Sequence, residues 1–513
     1  MLTYIVRRLI AAVLILFGAS FLVYVLTALS GDPLEDLRQS NAPNREALIQ
    51  QRIELLDLDV PPVLRYFAWL SGAVKCLVPF ALTCDLGNSV TGIEVTQLLG
   101  RAMGQTILLV SAATVLAIII GITLGIVTAL RQYSGLDYGV TMMAFLFFSL
   151  PVFWVAVLLK EFGAIGFNNF LAEPDISFAA TIICGLIAGF LFFLTSGGTM
   201  KRKLLWAAIG FAFAFALVWF LDFTGWFLTP GFGPIVIALL SVGIAYGVTL
   251  LTAGLKNRKA LYSSLIVVGI GVIAYFAVQP LLDRATLLMV ILLAVATVLI
   301  GLVVGYFMGG YDKRQNMNAA GLTAFLMGFL ILLDRFMQSW PDYFDNNRIN
   351  GRPIATIGSS TPNLEGDFWV GGIDIYTHLL LPTIALMLIS LAGYSRYSRA
   401  SMLEIMNQDY IRTARAKGLG ERTVVMRHAF RNALIPLATL VAFDIGGLIG
   451  GAIITENVFA FSGMGQLFID GLQARDLNPV MGVFLITGIV ALVFNLVADL
   501  VYSVLDPRVR VKA

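Results

Sequence analysis

The chain is poor in charge. Of its 513 residues only 13% are Asp, Glu, Lys or Arg, while 58% are hydrophobic. That balance excludes an ordinary soluble domain and points to a polytopic membrane protein. Histidine is scarce: His378 and His428 are the only two and lie on different segments, so a histidine-based metal centre has no second ligand nearby. Three cysteines are too few for a disulfide scaffold. No Gly-rich phosphate loop ending in Gly-Lys-Ser/Thr, no metal-ligand spacing and no credible acid/base constellation occurs. The chain is therefore expected to hold no catalytic, cofactor or metal site of its own. Its 34 Lys plus Arg nearly cancel its 31 Asp plus Glu, so the placement of charge says more than its sum.

Long apolar runs are what the chain has in plenty. Met1–Leu29 carries Arg7 and Arg8 ahead of roughly 21 mostly apolar residues, longer than a signal-peptide core and long enough to span a bilayer. It reads as a retained first helix. Further candidates are Thr106–Leu130, Val140–Leu159, Phe178–Thr195, Leu204–Leu221, Pro234–Ala253, Leu261–Leu282, Ala285–Met308, Ala319–Leu333, Tyr376–Tyr394, Leu434–Ile454 and Val480–Leu505. The expected fold class is an all-α integral membrane protein with about twelve transmembrane helices.

Charge orients these spans. With the N-terminus inside, the inner loops collect Arg131, Lys201-Arg-Lys203, Lys256, Arg258-Lys259 and Lys313-Arg314, and the tail collects Arg508, Arg510 and Lys512. Intervening short loops such as Asp222–Gly233 have almost none, which follows the positive-inside bias and puts both termini in the cytoplasm. Two longer polar regions fall outside, Ser30–Arg101 and Asp334–Ile375. Cys76 and Cys84 lie in the first; a cystine is chemically permitted there, and two free thiols are the alternative. Cys184 reads as packing within a span.

Between the last spans lies a long basic stretch, Tyr394–Ile435. Its centre is Asp409-Tyr-Ile-Arg-Thr-Ala-Arg-Ala-Lys-Gly-Leu-Gly420, followed by Arg427-His-Ala-Phe-Arg-Asn-Ala-Leu-Ile-Pro436. A short helix is expected, with Asp409 as its cap and Gly418 and Gly420 ending it. Tyr410, Ala414 and Lys417 or Gly418 would share one face, with Arg412 and Ala416 to the other side. An interfacial helix resting on anionic lipid would have a similar composition. Of the intramembrane acids, Asp444 is the better pathway candidate. Asp499 is expected near the inner surface, solvated or paired with Arg508.

Several stretches, read in order, resemble the permease subunits of oligopeptide/dipeptide ABC importers. They are Arg7-Arg-Leu9, Gly31-Asp-Pro33, Asp85-Leu-Gly-Asn-Ser89, Ser149-Leu-Pro-Val-Phe-Trp154, the basic stretch, Gly446–Gly451, Glu456-Asn-Val-Phe459, Gly463-Met-Gly465, Ala474-Arg-Asp476, Asp499-Leu-Val-Tyr502 and Asp506-Pro-Arg508. The resemblance covers about Met1–Phe162 and Tyr376–Arg510. It implies a six-helix permease core, with 1–162 its first part, 376–513 its second and 338–375 an extracytoplasmic loop. The departure is 163–337, an inserted block of about six helices whose even count keeps everything downstream in the same orientation.

The resemblance further implies that 395–433 is the cytoplasmic coupling loop, with Asp409, Tyr410, Arg412, Ala414, Arg415, Ala416, Lys417 and Gly418 docking an ATPase, and Ala414 and Gly418 as the points of closest approach. In the family pattern Glu-Ala-Ala precedes a Gly four residues on; here Arg412-Thr-Ala414 and Gly418 stand there, without the Glu. The partners implied are a second homologous permease, two ABC ATPase subunits that carry ATP and Mg²⁺, an extracytoplasmic substrate-binding protein and the lipid bilayer, with no nucleic acid. The location implied is a bacterial inner membrane. Nickel or another small solute is the alternative cargo. An ion-coupled secondary transporter is the rival class, and it would need inverted repeats and ionisable residues at the midplane.

Overall fold

The computed structural model describes residues 2–76 and 84–505. Leu77–Thr83, the Asp506-Pro-Arg508 landmark and the tail cations Arg508, Arg510 and Lys512 lie outside the described residues, as do the side chains of Gly446–Gly451.

Helix dominates because a bilayer offers backbone groups no other partners, and a helix satisfies them within one segment. Eleven helices among the described residues are long and apolar enough to cross a membrane. Phe430–Gly451, of 22 residues, has the length for a further crossing. The spans are α1 (Leu2–Leu29), α2 (Val95–Leu130), α3 (Gly135–Ser149) with α4 (Val152–Leu158), α5 (Phe178–Thr195), α6 (Met200–Phe223), α7 (Gly233–Thr252), α8 (Arg258–Leu282), α9 (Leu287–Met308), α10 (Lys313–Gln338), α11 (Phe368–Met406), then, after the short α12 (Asp409–Ala416), α13 (Phe430–Gly451). Two short helices, α14 (Ile453–Val458) and α15 (Met464–Gln473), precede the last span, α16 (Leu477–Leu505).

The expected single span Val140–Leu159 is corrected. Leu150 and Pro151 are extended, with ψ 130 and 141, so the helix breaks between α3 and α4. Pro151 lacks an N–H, which an interior turn would require but the start of a new helix does not. Beyond α4 the chain winds as a π-helix over Leu159–Gly166 and ends with Phe167–Ala172. Both halves pack on α11 in antiparallel order. Asp137 meets Arg399, Phe148 meets Arg396, and Gly163 meets Leu381.

The closest helix pair in the core is α2 against α11. A Cβ on Gly121 would lie 2.8 Å from the Tyr394 Cβ, and one on Gly125 would lie 2.6 Å from the Ser395 carbonyl oxygen. Only glycine permits that approach, which suits helix pairing where apolar lipid supplies no hydrophobic drive. At one end Arg8 of α1 pairs with Asp499 of α16 at 2.6 Å. The other expected partner of Asp499, Arg508, lies outside the described residues.

Helices α5–α10 form two units. The hairpin α5–α6 touches the core chiefly at α3, with Leu194 against Gly135. Helices α7–α10 make a bundle with α10 at its centre. Asp334, expected in the outer loop, lies instead within α10 and is fully buried. It accepts from the Phe232 and Gly233 N–H groups at 2.6 and 3.1 Å, from Tyr275 at 2.8 Å and from Gln338 at 2.7 Å. The bundle meets the core where the Trp369 indole N–H of α11 donates to the Leu282 carbonyl at 2.8 Å.

Candidate functional site

Helix α12 is laid against the ends of three long helices. Ile411 and Ala414 are its buried residues, packed with Ala129 of α2, Met402 of α11, Val424, Val425 and Ala429 of the following π-helical turn, and Ala433 of α13. The i, i+3 spacing of Ile411 and Ala414 puts both on one face. Ala414 therefore faces the protein itself, and of the two residues expected at the closest approach to a partner only Gly418 is exposed.

The other expected residues divide in two. Tyr410 and Arg415 serve the loop internally. The Asn432 side-chain amide donates to the Tyr410 hydroxyl at 3.0 Å. The Arg415 guanidinium holds Glu421 through two bonds of 3.1 and 2.7 Å, and keeps the Glu421 carboxyl below the usual carboxylate range. Asp409, Arg412, Ala416, Lys417 and Gly418 are exposed. Asp409 is not the cap: Gln408 occupies that place, and Asp409 stands in the first turn, where the positive end of the helix favours a carboxylate. Gly418 has φ +77 and ends the helix as expected of a residue after the C-terminus.

A second feature locks this surface to the helices behind it. Asp137, buried at the start of α3, accepts two bonds from Arg399 of α11 at 2.8 and 2.9 Å, and one from the Tyr133 N–H at 3.0 Å. One turn back, the Arg396 guanidinium lies 4.0 Å from the Phe148 ring centre. Sequence reading missed this pair, because 262 positions separate its members; the Ser134 cap, which accepts from the Asp137 N–H, was the available local signal. Asp444 on α13 is half-buried and neighbours the hydroxyl of Tyr394 on α11.

At the opposite end, the distant landmarks converge. Glu456 of α14 is fully buried and accepts from Thr106 of α2 at 2.6 Å and from the Gly465 and Gln466 N–H groups at 2.6 and 3.2 Å. Thr106 in turn accepts from the Met464 N–H at 2.8 Å. Gly463 and Gly465 are glycine because a Cβ at either would run into the Glu456 carboxylate. Burial raises the Glu456 pKa. Asp476 accepts from the Val90 N–H at 2.8 Å, and Asn478 donates to the Asn88 carbonyl at 2.7 Å. Arg475 lies against Gly31 and pairs with Glu35. Cys76 and Cys84 are joined in a disulfide, while Cys184 is a free thiol.

Beside this assembly is a recess of about 930 Å³ lined by Lys160, Asn169, Arg348, Arg352, Thr361 and His378, with no carboxylate among its lining residues. Asn168 closes its floor, exchanging hydrogen bonds with the Ile354 backbone at 2.9 and 3.0 Å. Its cations are scattered between α4's continuation and the 345–367 loop, so no sequence motif announced it.

Residues 266–511 match the family model for the inner membrane component of binding-protein-dependent transport systems. Over 511 residues the chain is 26% identical to the oligopeptide transport system permease protein OppB of Mycobacterium tuberculosis (strain ATCC 25618 / H37Rv), covering 100% of both. It is 24% identical over 513 residues to the oligopeptide transport system permease protein AppB of Bacillus subtilis (strain 168), covering 99% of this chain and 100% of that one. A segment of 168 residues is 42% identical to the dipeptide transport system permease protein DppB of Escherichia coli (strain K12), covering 33% of this chain and 48% of that one. The multi-helix fold and these matches together mark a membrane-embedded permease component that is similar to the oligopeptide and dipeptide permeases. The same 168 residues are a larger share of the Escherichia coli relative, so that protein is shorter than this chain by roughly a third.

Proposed function

We propose that this chain forms half of the translocation pathway of an ATP-driven importer of peptides and receives the driving motion through α12. One observation carries the coupling reading. The buried face of α12 shares one apolar cluster with residues of α2, α11 and the start of α13, while Arg412 and Lys417 stay outside. A partner that moves α12 thereby moves the helices on both sides of Asp444. Acidic side chains on the ATPase would meet Arg412 and Lys417. The ATPase pair would supply ATP and Mg²⁺, a second permease the other half of the path, and an extracytoplasmic binding protein the cargo. In this reading the α12 end is cytoplasmic, in a bacterial inner membrane with both termini inside. Residues 1–162 and 376–513 are the core, and 163–337 is an addition; the shorter length of the Escherichia coli relative supports that division.

Peptide is favoured over nickel by the recess at the far end. Lys160, Arg348 and Arg352 line it, and the Asp374 carboxylate behind its wall is taken up by Thr361 and Tyr343, so the three cations suit the carboxylate that a peptide carries more than a divalent metal ion.

The test replaces both outward cations, Arg412→Glu with Lys417→Glu. Membrane insertion should be unchanged, while co-purification of the ATPase subunits and uptake of labelled peptide into proteoliposomes fall to background. Full ATPase recovery and uptake in that variant would overturn the coupling assignment. Uptake that persists without the ATPase would instead favour an ion-coupled transporter.

A further inference from the structure

At the α12 end, but away from α12, a recess opens between the α2–α3 turn and the α5–α6 hairpin. It is lined by Arg131, Tyr133, Ser134, Arg202, Lys203 and Trp206, among others, with no carboxylate, and has an empty volume of about 1420 Å³. Its roof is the Thr195–Gly198 turn, held where Arg131 donates to the Thr195 carbonyl at 3.2 Å. Gly198 in that turn has φ +106, and a Cβ there would lie 3.2 Å from the Arg202 side chain.

Electrostatics make this recess unusual. Helix α6 begins with Lys201-Arg-Lys203 in its first turn, where the helix already presents its positive end. Cations are disfavoured there, and anions favoured. Thr199, at the capping position, gives no side-chain bond to the first-turn N–H groups. Basic side chains, uncapped N–H groups and Arg131 thus converge on one space with no internal counter-charge. The level in the membrane is set by the ends of three apolar spans, Val95–Leu130, Phe178–Thr195 and Met200–Phe223. Trp206 and Tyr133 are both exposed beside it, as amphipathic rings are at headgroup depth. Lys203, whose ammonium lies 5.6 Å from the Phe193 ring centre, is also among the residues that line the recess.

We infer that this recess binds the phosphate headgroup of an anionic phospholipid, with Arg131, Arg202 and Lys203 as its charged ligands, and that the bound lipid fills the gap between the hairpin and α3. The acyl chains would lie along α5 and α6, whose exposed Phe190, Leu204 and Leu205 line the bilayer side. The site goes beyond the transport reading and uses none of its residues; it shares only the placement of this end at a membrane surface.

The experiment compares three full-length proteins in detergent and in nanodiscs by native mass spectrometry: wild type, Arg131→Gln/Arg202→Gln/Lys203→Gln, and Lys256→Gln/Arg258→Gln/Lys259→Gln. The last removes a cationic cluster of the same end that lies outside the recess. Wild type and the second variant should retain one phosphatidylglycerol through delipidation, and phosphatidylcholine should not replace it. The recess variant should retain it roughly a hundredfold more weakly, as expected for three lost surface cations. Size-exclusion profiles identical to wild type exclude misfolding as the cause. Equal loss in both variants would show general surface charge rather than a site and overturn the inference. Displacement of the lipid by millimolar inorganic phosphate would also overturn it, by making the site one for free phosphate.

Discussion

The core and the α5–α10 region are held together by different forces. In the core, polar bonds join segments hundreds of positions apart: Thr106 with Glu456, Val90 with Asp476, Asp137 with Arg399, and Asn168 with Ile354. In α5–α10 the buried acid, Asp334, is satisfied by Phe232, Gly233, Tyr275 and Gln338, all within that region. Packing there is otherwise mainly apolar, including a groove of about 880 Å³ along α8, α9 and α10. Only 6% of the spanning windows of α6 and α9 is buried, each helix packing mainly along a single neighbour, α5 and α10 respectively. The difference teaches where precision is needed. In the core, directional bonds fix segments far apart in the chain, whereas in α5–α10 they stay within the block and its contact with the core rests mostly on shape.

Breaking a core bond should therefore cost far more than removing the outer helices. The largest effect is expected for Glu456→Ala, which strands the Thr106 hydroxyl and two backbone N–H groups. It should destabilise the protein by on the order of 3–6 kcal/mol, read as a lowered unfolding midpoint in nanodiscs. Deletion of Phe178–Leu333 should by contrast leave ATPase co-purification measurable. Loss of the complex on deletion, with Glu456→Ala tolerated, would reverse the comparison.

A smaller effect concerns pH. Burial pushes the Asp476 carboxyl up to about 6, above the about 3.9 of an unfolded chain. The native state then holds a proton that the unfolded chain has released between those values. The stability this contributes is full below about pH 4 and is lost as pH rises through about 6, by roughly 2–3 kcal/mol. Asp476→Asn should flatten stability over that window; an unchanged slope would separate Asp476 from it. An effect of similar size, confined to one loop, is at the Cys76–Cys84 bridge, whose short loop contributes about 2–3 kcal/mol locally. Alkylation of the unreduced, denatured protein should label Cys184 alone. Labelling of all three cysteines would show the bridge absent.

The ends of α12 were legible because Asp409 and Gly418 act locally, on a first turn and a last turn. Which face of α12 turns inward was not, since that depends on Ala129 and Ala433, which no local pattern couples to Ala414. The same limit hid Asp137–Arg399 and led Asp334 to be read as loop: an acid beside the end of an apolar run looks solvated until Phe232, Gly233 and Tyr275 are brought around it. The break at Leu150–Pro151 was visible as a proline but not as a boundary, because apolar residues continue on both sides. The order of the family landmarks was legible throughout, but their meeting in space was not: Gly31 lies against Arg475, Asp476 accepts from Val90 and Asn478 donates to Asn88.

The bonds between Asn168 and Ile354 have a consequence for engineering. They tie the chain that leads into α5 to the loop that follows α10, like the two rails of a siding. Any even number of spans could be exchanged between them, or a soluble reporter fused there through short tethers, with the direction of every later helix left as it is.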